Sequence, residues 1–360
     1  MKICHIHWGM AIGGIETMLV NIANIQAEMG HEVDIVVIND LYDNALLEKF
    51  RDSITVHLLK RKIGSKSPVK LLKLNLLLRR LKADIYHFHD VNIVKYVRKQ
   101  WIKPYCTTYH SVYQNYISGC IADNPRLFTI SRGAHDDILE KTGAESTVVY
   151  NGIDTQLFKR RNPGPNHSPL RIVQVGRAFD LKGQPLLIEA VQILRLKGLK
   201  VNVDFIGGGP KEADYRALVD KLGLNDSISF LGSKAPAYIQ EHLADYDLLV
   251  QPSLYEGFGL TIAEAMAAKV PVLVSDIAPQ MELIDNGECG RSFRSGNPVA
   301  LAKAIEDFID GNGGNSTVER AYSRVCGMFD VHATTRNYLS EYERIIARNT
   351  SSRSTTDNRR

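Results

Sequence analysis

The chain opens on a short apolar run, KICHIHWG, which is followed by a glycine turn, a stretch from Thr17 to Met29 with apolar residues at helical spacing, and the β-branched run HEVDIVVIN. Gly30-His31 ends the helical stretch. A strand, a turn, a helix and a strand in that order make one βαβ unit and imply a parallel sheet. Further apolar runs at 54–58, 85–89, 105–109, 127–130 and 146–150 read as strands, with helical stretches between several of them. The first half is expected to be doubly wound. Lys159 to Pro169, with three prolines, two asparagines, a glycine and three cations, breaks the pattern and reads as a linker.

Beyond that break the alternation restarts. LRIVQVGR, VNVDFIGGG, SISFLG, DLLVQPS and VPVLVSD read as strands, with helices at 184–197, 212–222 and 237–244 and another ending at Ala268. The expected fold class is therefore α/β, with two doubly wound, Rossmann-like domains at 1–163 and 168–333 and a cleft at the carboxyl ends of the two sheets. A helix at about 334–348 is expected to pack back on the first domain, and the polar segment 349–360 to be a disordered tail.

A length of 360 residues suits two domains, and 44% hydrophobic with 23% charged residues fits a soluble globular chain. No apolar run is long enough to span a membrane, and the first residues lack the pattern of a secretory signal. Cys4, Cys106, Cys120, Cys289 and Cys326 are scattered and lack CxxC spacing, so reduced thiols in a cytoplasm are expected, without a disulfide framework or a zinc site. The net charge of +4 is uneven. Residues 1–165 hold 22 basic and 16 acidic side chains, a balance of +6, and within them residues 60–103 hold 13 basic side chains against Asp84 and Asp90. Such an excess attracts nucleic acid, anionic lipid or phosphorylated substrates, and does not choose among them.

The candidate chemistry sits where strands end. Gly13-Gly14-Ile15-Glu16 is either a plain tight turn or a place where free amides at a helix start meet an anion. Arg177 and Lys182 lie five residues apart in one strand-to-helix loop; they are either solvated charges or the neutralisers of a diphosphate. Gly207-Gly208-Gly209-Pro210 is expected to clear space for a base or its ribose, though alone it is an ordinary turn. Glu256-Gly-Phe-Gly-Leu-Thr-Ile-Ala-Glu264 is more informative. A capping box from Thr261 to Glu264 would account for Glu264 alone, but not for Glu256 and two glycines at a strand's carboxyl end. His110 ends the strand CTTYH, either as a structural histidine or facing a ligand.

Taken together, these residues resemble the retaining glycosyltransferases of the GT-B architecture, specifically glycosyltransferase family 4. The likeness rests on GGIE, TTYHS, YNGID, VGRAFDLKG, IGGGP, the Glu256/Glu264 pair and PVLVSDI followed by Glu282, and it covers almost the whole chain. The resemblance implies that Arg177 and Lys182 hold the diphosphate of a nucleotide-sugar donor, and that Glu264 accepts hydrogen bonds from its ribose. It implies that Glu256 contacts a sugar hydroxyl amid the amides of Gly257, Phe258, Gly259 and Leu260, with Gly208 also in the donor site. Gly14 would approach the phosphates and His110 the donor sugar. No metal or cofactor is implied, because the two cations supply the positive charge that the leaving group needs.

The acceptor, a glycan or a lipid-diphosphate-linked sugar, is expected on the first domain. There the stretch Lys70–Lys82 is either a helix lying on anionic membrane at the inner face of the cell membrane or an ordinary amphipathic helix packed on its sheet. A sugar-nucleotide epimerase of related architecture is the alternative enzyme. A non-catalytic binding protein would need export, and nucleic-acid binding is disfavoured because the basic region lacks interleaved aromatics.

Overall fold

In the computed structural model, runs rich in β-branched residues become two parallel sheets, each in its own unit. The structure describes residues 1–11, 13–111, 124, 126–162, 167–311 and 315–357, with only the helical backbone of 315, 316 and 351–357. Cys120, residues 163–166 of the expected linker and residues 358–360 of the expected tail lie outside the described residues. Cys4, Cys106, Cys289 and Cys326 are free thiols.

The first unit is Met1–Gly152 together with Val331–Arg360. Its strands are β1 (Lys2–His7), β2 (Glu32–Asn39), β3 (Thr55–Arg61), β4 (Ile85–Phe88), β5 (Tyr105–Tyr109), β6 (Leu127–Thr129) and β7 (Thr147–Val148). They stand in the order β3-β2-β1-β4-β5-β6-β7, so the winding reverses between β1 and β4. Alternate residues face opposite layers. Cys4, Ile6, Tyr86 and Phe88 pack with Leu74 and Leu78 of the helix Val69–Leu81. Ile3, Ile85 and Cys106 pack on the other face with Met18 and Ile22 of the helix Gly14–Glu28 and Tyr338 and Tyr342 of the helix Val331–Asp357. That last helix is longer than the expected 334–348 and enters the expected tail; no glycine or proline interrupts residues 331–357.

The second unit is Ile153–Asp330. Its strands are β8 (Leu170–Val175), β9 (Val201–Ile206), β10 (Ile228–Gly232), β11 (Leu248–Gln251), β12 (Val272–Ser275) and β13 (Arg291–Phe293), ordered β10-β9-β8-β11-β12-β13. The reversal here falls between β8 and β11. The unit begins at Ile153, not at the expected 168, and the described residues on either side of 163–166 bond within it. Arg161 N donates to Ala268 O at 2.8 Å, and its Nη2 reaches the fully buried Asp247 at 2.9 Å. Asp247 also accepts from the backbone of His167 and of Arg171. Burial would raise its pKa, but these donors hold the carboxyl below its usual range.

Candidate functional site

At the carboxyl ends of β8 and β11, glycines bring loops together. Gly207, at φ +130°, has no room for a Cβ, which would lie 2.2 Å from Gly176 O. Gly209 would place one 2.5 Å from Ala178 O, and Gly183, at φ +68°, 1.9 Å from Pro252 O. The bare backbone of Gly207 and Gly209 is thus filled by the Val175-Gly176-Arg177-Ala178 loop itself, rather than clearing space for a base. The Gly208 amide donates to Ser233 Oγ at 3.1 Å.

Buried glutamines then hold the loop that carries the cations. Gln174 Nε2 donates to Lys182 O at 2.8 Å, and Gln184 Nε2 to Arg177 O at 3.0 Å. With its backbone fixed, Arg177 projects to the surface, its guanidinium 5.0 Å from the Phe179 ring centre. Lys182 Nζ lies 2.6 Å from Glu256 Oε2, which Ser253 Oγ approaches at 3.4 Å. Lys182 and Glu256, which the resemblance gave separate roles, are therefore an ion pair.

The helix Leu260–Ala267 starts on Gly259 at φ +110°, with no side-chain cap. Thr261 sits inside its first turn, so the capping box is not formed and Glu264 is left for another purpose. Its half-buried carboxyl has no hydrogen-bond partner among the described residues, and desolvation pushes its pKa up to about 7. Phe258 is buried, with its ring edge-on to Phe329 at 5.4 Å, so only its backbone can face a ligand. Leu260 is the first residue of the helix and is half-buried.

In the first unit, Gly14 is the first residue of its helix, after an extended Gly13. His110 follows β5, and its ring is joined to others by a regular consequence of strand parity. His5 and His7 on β1, and His87 and His89 at β4, share a face with Thr108 and His110. Burial holds His110 down to about 3 and His5 to about 4, and pushes His87 and His89 well below the ordinary histidine value. His5, His87 and His89 also bring ligand-capable nitrogens within 4.8 Å of one another.

The family model described as "Glycosyltransferase Family 4" matches residues 12–157, and that described as "Glycosyl transferases group 1" matches residues 155–324. The chain belongs to this glycosyltransferase family. It is similar to the amylovoran biosynthesis glycosyltransferase AmsK of Erwinia amylovora, at 30% identity over 62% of this chain and 57% of AmsK. It is similar also to the uncharacterised glycosyltransferase MJ1607 of Methanocaldococcus jannaschii, at 26% identity over 86% of this chain and 89% of that protein. Three curated relatives at 29–34% identity are matched over 47–57% of their own length, so the chain spans about half of each. Among solved structures, HepE of Anabaena, in complex with UDP and glucose, superposes with a TM-score of 0.79 at 20% identity, over 95% of this chain and 99% of that one. The fold is GT-B.

Two groups in this family 4 chain escaped the sequence reading. Gln174, Gln184 and Gln251 look like polar interruptions of strands and a helix, yet each is buried and fixes the backbone or side chains of the loops at β8 and β11. The histidines His5, His7, His87 and His89 carried a readable signal in H-x-H, since residues two apart in a strand share a face.

Proposed function

We propose that this chain is a retaining glycosyltransferase that moves a hexosyl or N-acetylhexosaminyl unit from a UDP-linked donor to a glycan or lipid-diphosphate-linked acceptor. The observation that carries this reading is the set Arg177, Lys182, Glu256 and Glu264 at the reversal point of the second sheet, where open α/β sheets bind nucleotides. The likeness to AmsK supports a polysaccharide or glycolipid product, and the UDP in the HepE structure supports the carrier. The epimerase reading is unsupported, since the matching models and relatives are glycosyltransferases.

Breaking the anomeric carbon–oxygen bond leaves an oxocarbenium-like sugar and a diphosphate carrying extra negative charge. Arg177 and Lys182 meet that charge as it forms, and the transfer therefore proceeds without a metal. Glu256 keeps Lys182 paired until the diphosphate arrives, and then both share the donor. A carboxylate so engaged positions a sugar hydroxyl rather than attacking carbon. The acceptor hydroxyl approaches the same face, its oxygen bonds to the anomeric carbon, and its proton passes to the departing phosphate. A covalent glycosyl adduct on Glu256 would contradict this route. Glu264, with no partner of its own, takes the ribose hydroxyls, while Gly14, Gly208 and the amides of Gly257 to Leu260 line the donor and the neutral His110 touches its sugar.

The acceptor side is proposed for the first unit. Among the described residues no helix is long and apolar enough to cross a membrane. Yet Val69, Leu72 and Leu76 form an exposed stripe on the helix Val69–Leu81, flanked by Lys70 and Lys73. This supports peripheral attachment to anionic membrane at the cytoplasmic face, which replacing both lysines with glutamate should abolish in a liposome assay. The experiment that tests the main reading is incubation with a panel of UDP- and GDP-sugars, with and without a chelator. One UDP-sugar should raise the melting temperature and be slowly hydrolysed, and the chelator should change neither.

A further inference from the structure

The histidine face of the first sheet holds a continuous chain of hydrogen bonds. Gln26, on the helix Gly14–Glu28, places Oε1 2.8 Å from His5 Nε2. His5 Nδ1 is 3.0 Å from His89 Nε2, and His89 Nδ1 is 3.2 Å from His110 Nε2. At the end of the chain, His110 Nδ1 is buried with no partner among the described residues.

The other groups on this face leave the chain uninterrupted. His87 is occupied by Tyr342 through Nδ1 at 2.5 Å and by Thr108 through Nε2 at 2.7 Å. Tyr338 stands 3.2 Å from the Thr108 hydroxyl, and Glu16 lies 3.4 Å from His7 Nε2 at the rim. All ring nitrogens of His5, His87 and His89 are thus engaged, which leaves their cluster no free ligand for a metal.

A neutral imidazole has one donor nitrogen and one acceptor nitrogen, so in a chain of neutral rings the hydrogens must all point one way. An amide oxygen only accepts. It calls for a hydrogen on His5 Nε2, which leaves a lone pair on His5 Nδ1. That lone pair calls for a hydrogen on His89 Nε2, and His89 Nδ1 in turn calls for one on His110 Nε2. The opposite order would need the Gln26 amide turned over.

We propose that Gln26 is a positioning residue that, acting through His5 and His89, holds His110 as its Nε2–H tautomer with an unprotonated Nδ1. The chain ends on an amide that cannot take up a proton, so it sets a tautomer and does not carry a proton away. The effect on turnover rests on the reading of His110 as a donor-sugar contact; the tautomer itself does not.

The test is a long-range proton–nitrogen correlation spectrum of the full chain labelled with nitrogen-15 histidine, with His110 assigned by its loss in His110→Ala. Wild type should show a single Nε2–H tautomer at His110, and an Nδ1–H tautomer would overturn the proposal. Gln26→Met should give a mixture of both tautomers and lower donor turnover about twofold as the competent share halves. An unchanged tautomer, or a mixture with full turnover, would overturn the positioning role. Should Gln26→Met fail to fold, His89→Phe breaks the same chain and should give the same mixture. Zinc added to the wild type should leave the spectrum unchanged, and a shift of His5 and His89 would replace the chain by a metal site. If His110→Ala keeps full turnover, the donor-contact reading fails while the tautomer result stands.

Discussion

The two sheets end in opposite kinds of chemistry. At the reversal point of the first, between β1 and β4, polar side chains are buried, neutral and hydrogen-bonded to one another. At the corresponding point of the second, between β8 and β11, an exposed arginine, a half-buried ion pair and an unpartnered carboxyl are held on loops fixed from below. Burial decides the difference. Histidines can be buried by giving up their charge, whereas guanidinium and ammonium groups must stay near water or near a counter-ion. One site is built to fix geometry, and the other to meet charge.

Removing the charge should have the largest effect. Arg177→Met and Lys182→Met should each lower donor turnover by about a hundredfold or more, as loss of one preorganised contact to a developing charge does. Steady-state hydrolysis of the UDP-sugar measures this. Equal loss on Lys182→Arg would show that the ammonium geometry matters as well as its charge.

Acid should destabilise the first unit through its buried histidines. A histidine whose pKa is depressed by folding stabilises the protein fully above its unfolded value near 6.5, and that stability is lost as pH falls toward the folded value. For His5, which falls to about 4, this is on the order of 3 kcal/mol between pH 6.5 and 4. Both tryptophans, Trp8 and Trp101, lie in the first unit, so their fluorescence reports its unfolding in urea. The fluorescence midpoint should drop between pH 7 and pH 5.

Backbone strain should affect the second site and spare the first. Gly207→Ala puts a methyl group against Gly176 O at positive φ, and should cost the second unit about 2 kcal/mol or more. The main circular-dichroism transition should move to lower temperature while the tryptophan transition holds. The smallest effect concerns Glu264. With its pKa near 7, its carboxylate form and hence UDP affinity should increase as pH rises from 6 to 8. Glu264→Gln should bind UDP with a flat pH profile, which calorimetry would detect.

Much of this contrast could be read from the sequence, for a physical reason. Alternating apolar runs, glycines at strand ends and the Glu256 to Glu264 spacing are local signals, and they located both Rossmann-like units and the loops of the second site. The expected linker was misplaced because its partner, Asp247, is distant in sequence and buried. The pairing of Lys182 with Glu256 across 74 residues was invisible for the same reason. Gln26 and the histidines of β1 and β4 become a unit only when three strands and a helix meet. The Thr261–Glu264 pattern misled in the other direction, since Gly259 starts the helix two residues earlier than a Thr261 cap would.

The central claim is that Arg177 and Lys182 activate a nucleotide-sugar donor held by Glu264. It is tested most directly by following nucleotide release from a panel of UDP- and GDP-sugars, with wild type and Lys182→Met side by side. The account predicts slow hydrolysis of one UDP-sugar by wild type and about a hundredfold less by the variant, with UDP still bound through Glu264. Hydrolysis of no nucleotide sugar by wild type, or equal rates for the two proteins, would contradict it.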